Sequence, residues 1–384
     1  MKVLLLDTSF AAAPIYEFLV SSGHAVWVMG NRPEDLLARR AGPNWIDQDY
    51  SKVADVDRHV AALGIDRIVP GCTDLSIETT LLLTAAPNYT DSSRINQSLS
   101  NKRLFRKICE EIDLPAPQMV SPDAFPAEGT FICKPTDAFS GRGITIFDGN
   151  DSEAAERALA TAQRSSPTSQ ALYETFAPGE LHSLSAFVEG HKLVDSFCVA
   201  EGASVNPFAV DTSYVIDDLA ETSERQLREG LERLCKFLDL KDGLLHTQFI
   251  LAASGPSIIE VSRRCPGDLY PLLIERSTGF QYAAKYASYF MGEKLPTQAG
   301  KRRYILRHTV TADEESTFAG LTFEKPQPVR AFYPIAPMGA QLRSRQGNRA
   351  GLLFCEYPDR DQLLGSYRDF LLRAVYRIDQ SNPA

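Results

Sequence analysis

Over the first hundred residues the apolar positions switch repeatedly between a strand-like and a helix-like period. The run at 3–6, behind Lys2 and ended by Asp7, reads as a short buried strand. Pro14 suits the first turn of a helix over 14–22, and Gly23 suits the position just past its end. Further strands are expected at 24–29 and 67–69, with a helix between them at 51–63. Strands alternating with helices predict a parallel, Rossmann-like α/β sheet. Beyond it, 102–113 reads as a helix and the Pro-rich stretch 121–129 as a connector. Strands at 130–133 and 143–147 flank a loop of small residues, followed by a helix at 153–164 and strands at 171–175 and 182–188. A long amphipathic helix is expected at 221–238, then a hairpin of 244–252 with 256–262 turning around Ser254-Gly255. Past residue 296 come short strands, turns and a last helix near 362–376, a pattern that fits a small α+β cap.

Composition narrows the class. Of 384 residues, 44% are hydrophobic and 23% charged, as in ordinary globular domains, and the length predicts two to three domains. The net charge is −9, which argues against a nucleic-acid partner, since that would need a basic footprint. No apolar run reaches the roughly 18 residues of a membrane span. The four-residue run behind Lys2 is also too short for a secretion signal, which needs about 7–15. A cytoplasmic protein with no membrane partner is therefore expected. The seven cysteines are widely spaced, without CxxC or zinc spacing, and read as thiols of a reducing compartment. The turn after the first strand reads Asp7-Thr8-Ser9-Phe10-Ala11-Ala12-Ala13. With no GxGxxG there, an NAD-dependent oxidoreductase lacks its fingerprint.

Three segments carry candidate chemistry. In the first, a strand delivers Lys134, and Ser140-Gly141-Arg142-Gly143 follows. Small residues let backbone N–H groups approach an anion, and a lysine gives phosphate a point charge. By itself the same pattern also fits a plain hairpin tip. In the second, Tyr173 to Glu180, a strand ends in a Pro-Gly turn between acids. Its backbone could read an adenine edge and Glu180 could accept from ribose, or the turn is simply a solvated surface. In the third, a hairpin centred on residue 254 sets Gln248 opposite Glu260, with Cβ atoms about 5 Å apart. Two oxygen ligands at that spacing suit Mg²⁺, and period-2 geometry adds Ser262 and Arg264 to the row. The alternative is the polar outer face of an ordinary hairpin.

In their order and spacing these segments resemble the ATP-grasp superfamily over about residues 1–296. The resemblance implies a Rossmann-like domain (1–100), a two-subdomain core (101–296, with a lid at about 130–190) and the cap (297–384). It implies ATP and one or two Mg²⁺ or Mn²⁺ as cofactors. Lys102, behind Asn101 where the family usually has aspartate, and Lys134 would bind phosphate. Ser140, Gly141, Arg142 and Gly143 would cover the phosphates, while Glu174, Thr175, Phe176 and Ala177 would form the adenine hinge and Glu180 would hold the ribose. Gln248, Glu260 and Ser262 would hold metal, Ser262 standing where asparagine is usual. Gln248-Phe249 is similar to the carbamoyl-phosphate synthetase large subunit. Residues 260–279 look most like the amino-acid and carboxylate–amine ligases. By that likeness Arg264, with Lys134, would stabilise the reacting phosphate, and the Gly267 N–H would face a substrate carboxyl. The implied activity joins an amino acid or other small carboxylate to an amine through an acyl phosphate, and the resemblance suggests a homodimer. A bicarbonate-using enzyme and a non-catalytic nucleotide-binding protein are the alternatives. His182, His246 and His308 are candidates for a general base, with none assigned.

Overall fold

The computed structural model describes residues 1–85, 90–138, 141–293, 295, 300–343 and 349–380. It opens with β1 (Lys2–Leu6), α1 (Ala13–Ser21), β2 (Ala25–Met29), α2 (Leu36–Ala41), β3 (Trp45–Ile46), α3 (Val53–Leu63) and β4 (Arg67–Pro70). The four strands form a parallel sheet in the order β3-β2-β1-β4, as the alternating pattern predicts. Two helices that the pattern did not reveal follow, α4 (Asp74–Leu82) and α5 (Ser93–Ser100). In α4 the apolar residues are not gathered on one face. The helix instead starts on a cap, the Thr73 hydroxyl accepting the Ser76 N–H at 3.0 Å.

Next comes α6 (Lys102–Glu111), leading to a four-stranded sheet of β5 (Met119–Val120), β6 (Thr130–Pro135), β7 (Thr145–Asp148) and β8 (Ala171–Thr175), in the order β5-β8-β6-β7. The helix α7 (Ser152–Ser165) covers it. Its Ala155, Ala158 and Ala162 let the helix sit close over Phe131, Phe147 and Tyr173.

The third layer is antiparallel and has eight strands. Its members in chain order are β9 (Glu180–Glu189), β10 (Lys192–Gly202), β11 (Thr212–Ile216), then after α8 (Glu221–Phe237) the hairpin β12 (Gly243–Ala252) and β13 (Gly255–Ser262). The helices α9 (Tyr270–Thr278) and α10 (Tyr282–Met291) follow, and β14 (Tyr304–Thr311) returns to the sheet. The C-terminal region then supplies β15 (Ser316–Phe323), β16 (Val329–Pro334), β17 (Gln341–Leu342), β18 (Arg349–Tyr357), α11 (Arg360–Leu371) and β19 (Tyr376–Gln380). The large sheet runs β13-β12-β9-β10-β11-β14-β18-β16, while β17-β15-β19 form a small sheet of their own. The α+β segment expected as a cap is therefore tied into the large sheet through three of its strands.

One apolar core joins the first layer to the third. It holds Leu5, Ile15 and Val69 from the parallel domain with Phe187, Tyr282 and Tyr286 from the large sheet and α10. This shared core fixes where the carboxyl ends of β1 and β4 stand relative to the loop after β13. Among the described residues no helix is long and apolar enough to cross a membrane.

Candidate active site

The lysine side is assembled around a buried carboxylate. Asn101 caps α6, its side-chain oxygen accepting the N–H groups of Arg103 and Leu104 at 3.1 Å each. An aspartate would do the same, so the departure at Asn101 leaves the helix start intact. Lys102 opens that helix, and its Nζ donates to the Ala138 carbonyl at 3.0 Å. At the inner end of β6, Lys134 Nζ lies 2.5 Å from Glu174 Oε2, and the other Glu174 oxygen lies 2.9 Å from Arg106 Nε. Burial pushes the Lys134 ammonium down to about 8; Glu174 works against that, while Arg106 adds to it. The Glu174 side chain is wholly buried. In this structure the side chain pairs with Lys134 and Arg106, which leaves the expected adenine hinge to the backbone of this segment. Of the hinge backbone, the Thr175 and Phe176 N–H groups already donate to Gln118 and Thr130. Glu180 is exposed at the start of β9.

Gly141 and Gly143 both take positive φ, at +69° and +71°. A Cβ at Gly141 would lie 2.6 Å from Phe208 Cβ, and one at Gly143 would lie 2.5 Å from Ser165 Cβ, so only glycine fits either place. Between them Arg142 is exposed. Ser140 lies outside the described residues.

The hairpin side depends on a bulge. The β12–β13 turn pairs Ala252 with Gly255 and Phe249 with Ile258. In that register Gln248 would meet Ile259. A register shift after Phe249 skips Ile259 and sets Gln248 opposite Glu260, and His246 opposite Ser262. The Ile259 carbonyl freed from the ladder accepts from Arg106 Nη2 at 2.7 Å. Arg106 thus touches both the bulge and Glu174. Glu260 is exposed, whereas the Ser262 hydroxyl is buried with no hydrogen-bond partner among the described residues. A carboxylate, an amide oxygen and an orphaned hydroxyl on one face fit a hard divalent cation that also takes phosphate oxygens. Among the described residues no three His, Cys, Asp or Glu side chains gather for a metal, so such an ion would rest on this mixed oxygen set.

Arg264 leaves the end of β13 toward the parallel domain. Its Nε donates to Asp74 Oδ1 at 2.7 Å, at the first residue of α4. A side chain added at Gly267 would meet no atom within 4 Å, so open space adjoins that backbone. Asp268 and Leu269 follow, both at φ +54°, a conformation rare for residues with a Cβ. The loop is pinned by Arg307, which donates to the Asp268 carbonyl at 2.9 Å, and by an ion pair from Arg349 to Asp268. Arg307 is 3% exposed, and its Nε has no partner among the described residues. Burial pushes both His246 and His308 down to about 3, so neither exchanges a proton near neutrality. His182 stacks on Phe249 at 5.5 Å.

Four site residues escaped the sequence reading: Arg106, Glu201, Asp74 and Arg307. Two had a signal. Arg106 sits beside Phe105, Ile108 and Cys109 in the buried stripe of α6, where a charge needs a partner. Glu201 shares a strand face with buried Val199. Its Oε2 accepts from Gln248 Nε2 at 2.7 Å.

No family model matches the chain, and no curated protein matches it. Solved structures do, over nearly the whole length. Phosphoribosylglycinamide synthetase from Anaerococcus prevotii is 15% identical, with 99% of each chain covered and a TM-score of 0.76. L-amino acid ligase from Bacillus licheniformis is 16% identical, again with 99% of each chain covered and a TM-score of 0.76. Biotin carboxylase from Campylobacter jejuni is 13% identical, covering 99% of this chain and 92% of its own, at a TM-score of 0.71.

Proposed function

With the ATP-grasp fold of these structures as premise, we propose that the protein is an ATP-dependent ligase joining a small carboxylate to an amine through an acyl phosphate. The observation that carries this reading is the bulged hairpin. It sets Gln248 opposite Glu260 on a strand whose end places Arg264 beside the parallel domain. Lys102 and Lys134 would hold the phosphates of ATP, and the loop Gly141–Gly143 would close over them. The adenine would meet the hinge backbone at 174–177, and its ribose would meet Glu180. Gln248, Glu260 and Ser262 would hold Mg²⁺, whose part when bound is to offset phosphate charge during transfer.

The carboxylate oxygen attacks the γ-phosphorus, the bond to the β–γ bridging oxygen breaks, and ADP leaves. The amine then attacks the acyl carbon, phosphate leaves, and the amine proton passes to solvent or phosphate. Arg264, anchored by Asp74, would steady the charge on the transferring group, and the Gly267 N–H would face the carboxyl. The carboxyl ends of β1 and β4 border this place, as ligand sites in parallel sheets commonly do.

The test is a turnover panel with ATP, Mg²⁺, amino acids singly and in pairs, ammonia and bicarbonate. ADP and phosphate released only with a particular carboxylate and amine support the ligase and name its substrates. Turnover that needs bicarbonate and no other carboxylate would move the reading to a carboxylating enzyme. Release of AMP and pyrophosphate would overturn the acyl-phosphate route.

A further inference from the structure

A glutamine is an ambiguous ligand. Its amide offers an oxygen or an NH₂ group in nearly the same shape, and only the oxygen binds a cation. Something must decide which end Gln248 presents beside Glu260. The large sheet supplies a neighbour able to do so. Gln248 pairs with Ser183 on β9, and Ser183 pairs with Val199 on β10. Glu201 lies two residues beyond Val199 and so shares its face. Its Oε2 accepts from Gln248 Nε2 at 2.7 Å. Glu201 is itself enclosed, being 8% exposed and close to the Arg307 charge.

We propose that Glu201 is the positioning residue of the cation site: it binds the NH₂ of Gln248 and so commits the amide oxygen to the metal. The inference rests on the reading of Gln248 and Glu260 as cation ligands. It adds a residue from a different strand, for which no role was expected from the sequence.

The test uses Mn²⁺ as the probe, with the full chain and ADP. Free Mn²⁺ is counted by its electron-paramagnetic-resonance signal, and ADP binding without metal is measured by calorimetry. Glu201→Gln keeps the shape but lets residue 201 donate to the Gln248 oxygen. This variant should lose about tenfold in Mn²⁺ affinity, the scale seen when a ligand's hydrogen-bond partner is removed, while metal-free ADP binding stays unchanged. The exchanged pair Glu201→Gln with Gln248→Glu restores donor, acceptor and charge in reversed order. It should bring Mn²⁺ affinity back to within about threefold of the natural protein. Thermal melting checks that both variants fold, and the exchanged pair keeps the test decisive if the single variant is unstable. Natural Mn²⁺ affinity in Glu201→Gln, or no recovery in the exchanged pair, would overturn the role of Glu201. If the natural protein binds no Mn²⁺ with ADP, the cation reading of the hairpin fails first and takes this proposal with it.

Discussion

On the lysine side of the site the main charges are already paired inside the protein. Lys134 and Arg106 both rest on Glu174, and that carboxylate is wholly buried. On the hairpin side Glu260 is exposed and the Ser262 hydroxyl has no partner among the described residues. The contrast separates two tasks. A group satisfied by protein is held in position before any ligand arrives, at the cost of burying charge. A group left open is available to a ligand, as the proposed cation site requires. Arg106 joins the two sides, since one guanidinium pairs with Glu174 and donates to the carbonyl of the bulge.

The contrast is sharpest in Glu260→Ala. Turnover should fall by on the order of 10²–10³ or more, since the change removes a proposed ligand of the Mg²⁺ that would offset the charge on the reacting phosphate. Urea melting should stay within about 0.5 kcal/mol, as for other exposed side chains. A large loss of stability would show that the hairpin side is closed in the same way as the lysine side. Glu174→Gln should do the reverse and act first on the fold. It strands two buried cations and should cost about 3–5 kcal/mol in a urea melt. A variant as stable as the natural protein would mean that the buried triad holds nothing together.

Smaller effects test how the parallel domain reaches the site. Asp74→Asn keeps the helix start but takes a charge from Arg264. It should lower kcat about tenfold with little change in KM for ATP, through lost positioning. An equal fall in ATP binding would show that Asp74 serves the nucleotide directly. The smallest expected effect is on pH dependence. Burial lowers the Lys134 pKa to about 8, so the side chain is cationic below that pH and neutral above it. ADP affinity should therefore weaken severalfold as pH rises through about 8, and Lys134→Arg should flatten the profile because arginine stays charged. A natural profile that is flat from about pH 7 to about pH 9.5 would remove Lys134 from the phosphate site.

Much of the fold was legible because its signals are local. Alternating periods gave the parallel sheet, and Pro14 and Gly23 bracketed a helix that spans Ala13–Ser21. The pairing of Gln248 with Glu260 was also anticipated, but through two offsets that cancel. The turn sits at Ala253-Ser254, slightly before the expected centre, and the bulge at Ile259 restores the register. Helix α4 was missed because its apolar residues trace no stripe, and α10 because it is buried nearly all round, which leaves no polar face to mark a period. The burial of the Glu174 carboxylate between Lys134 and Arg106 was not legible, since a strand end shows no sign of which way its side chain is enclosed.

The adjacent arginines show where sequence stops. Arg263 and Arg264 are chemically identical. Arg263 turns into the interior, its Nε 2.6 Å from Asp91, while Arg264 turns to Asp74 beside the open backbone of Gly267. Residue order alone marked the strands of the parallel sheet, the first helix and the glycine loop, and named the residues of the hairpin row, because periodicity, capping and backbone freedom act over a few residues. Only the tertiary structure decided which charges are spent on one another. Glu174 with Arg106 lies 68 residues away, Gln248 with Glu201 47 and Arg264 with Asp74 190, and each pair is made by strands and helices that meet through the packing of the core.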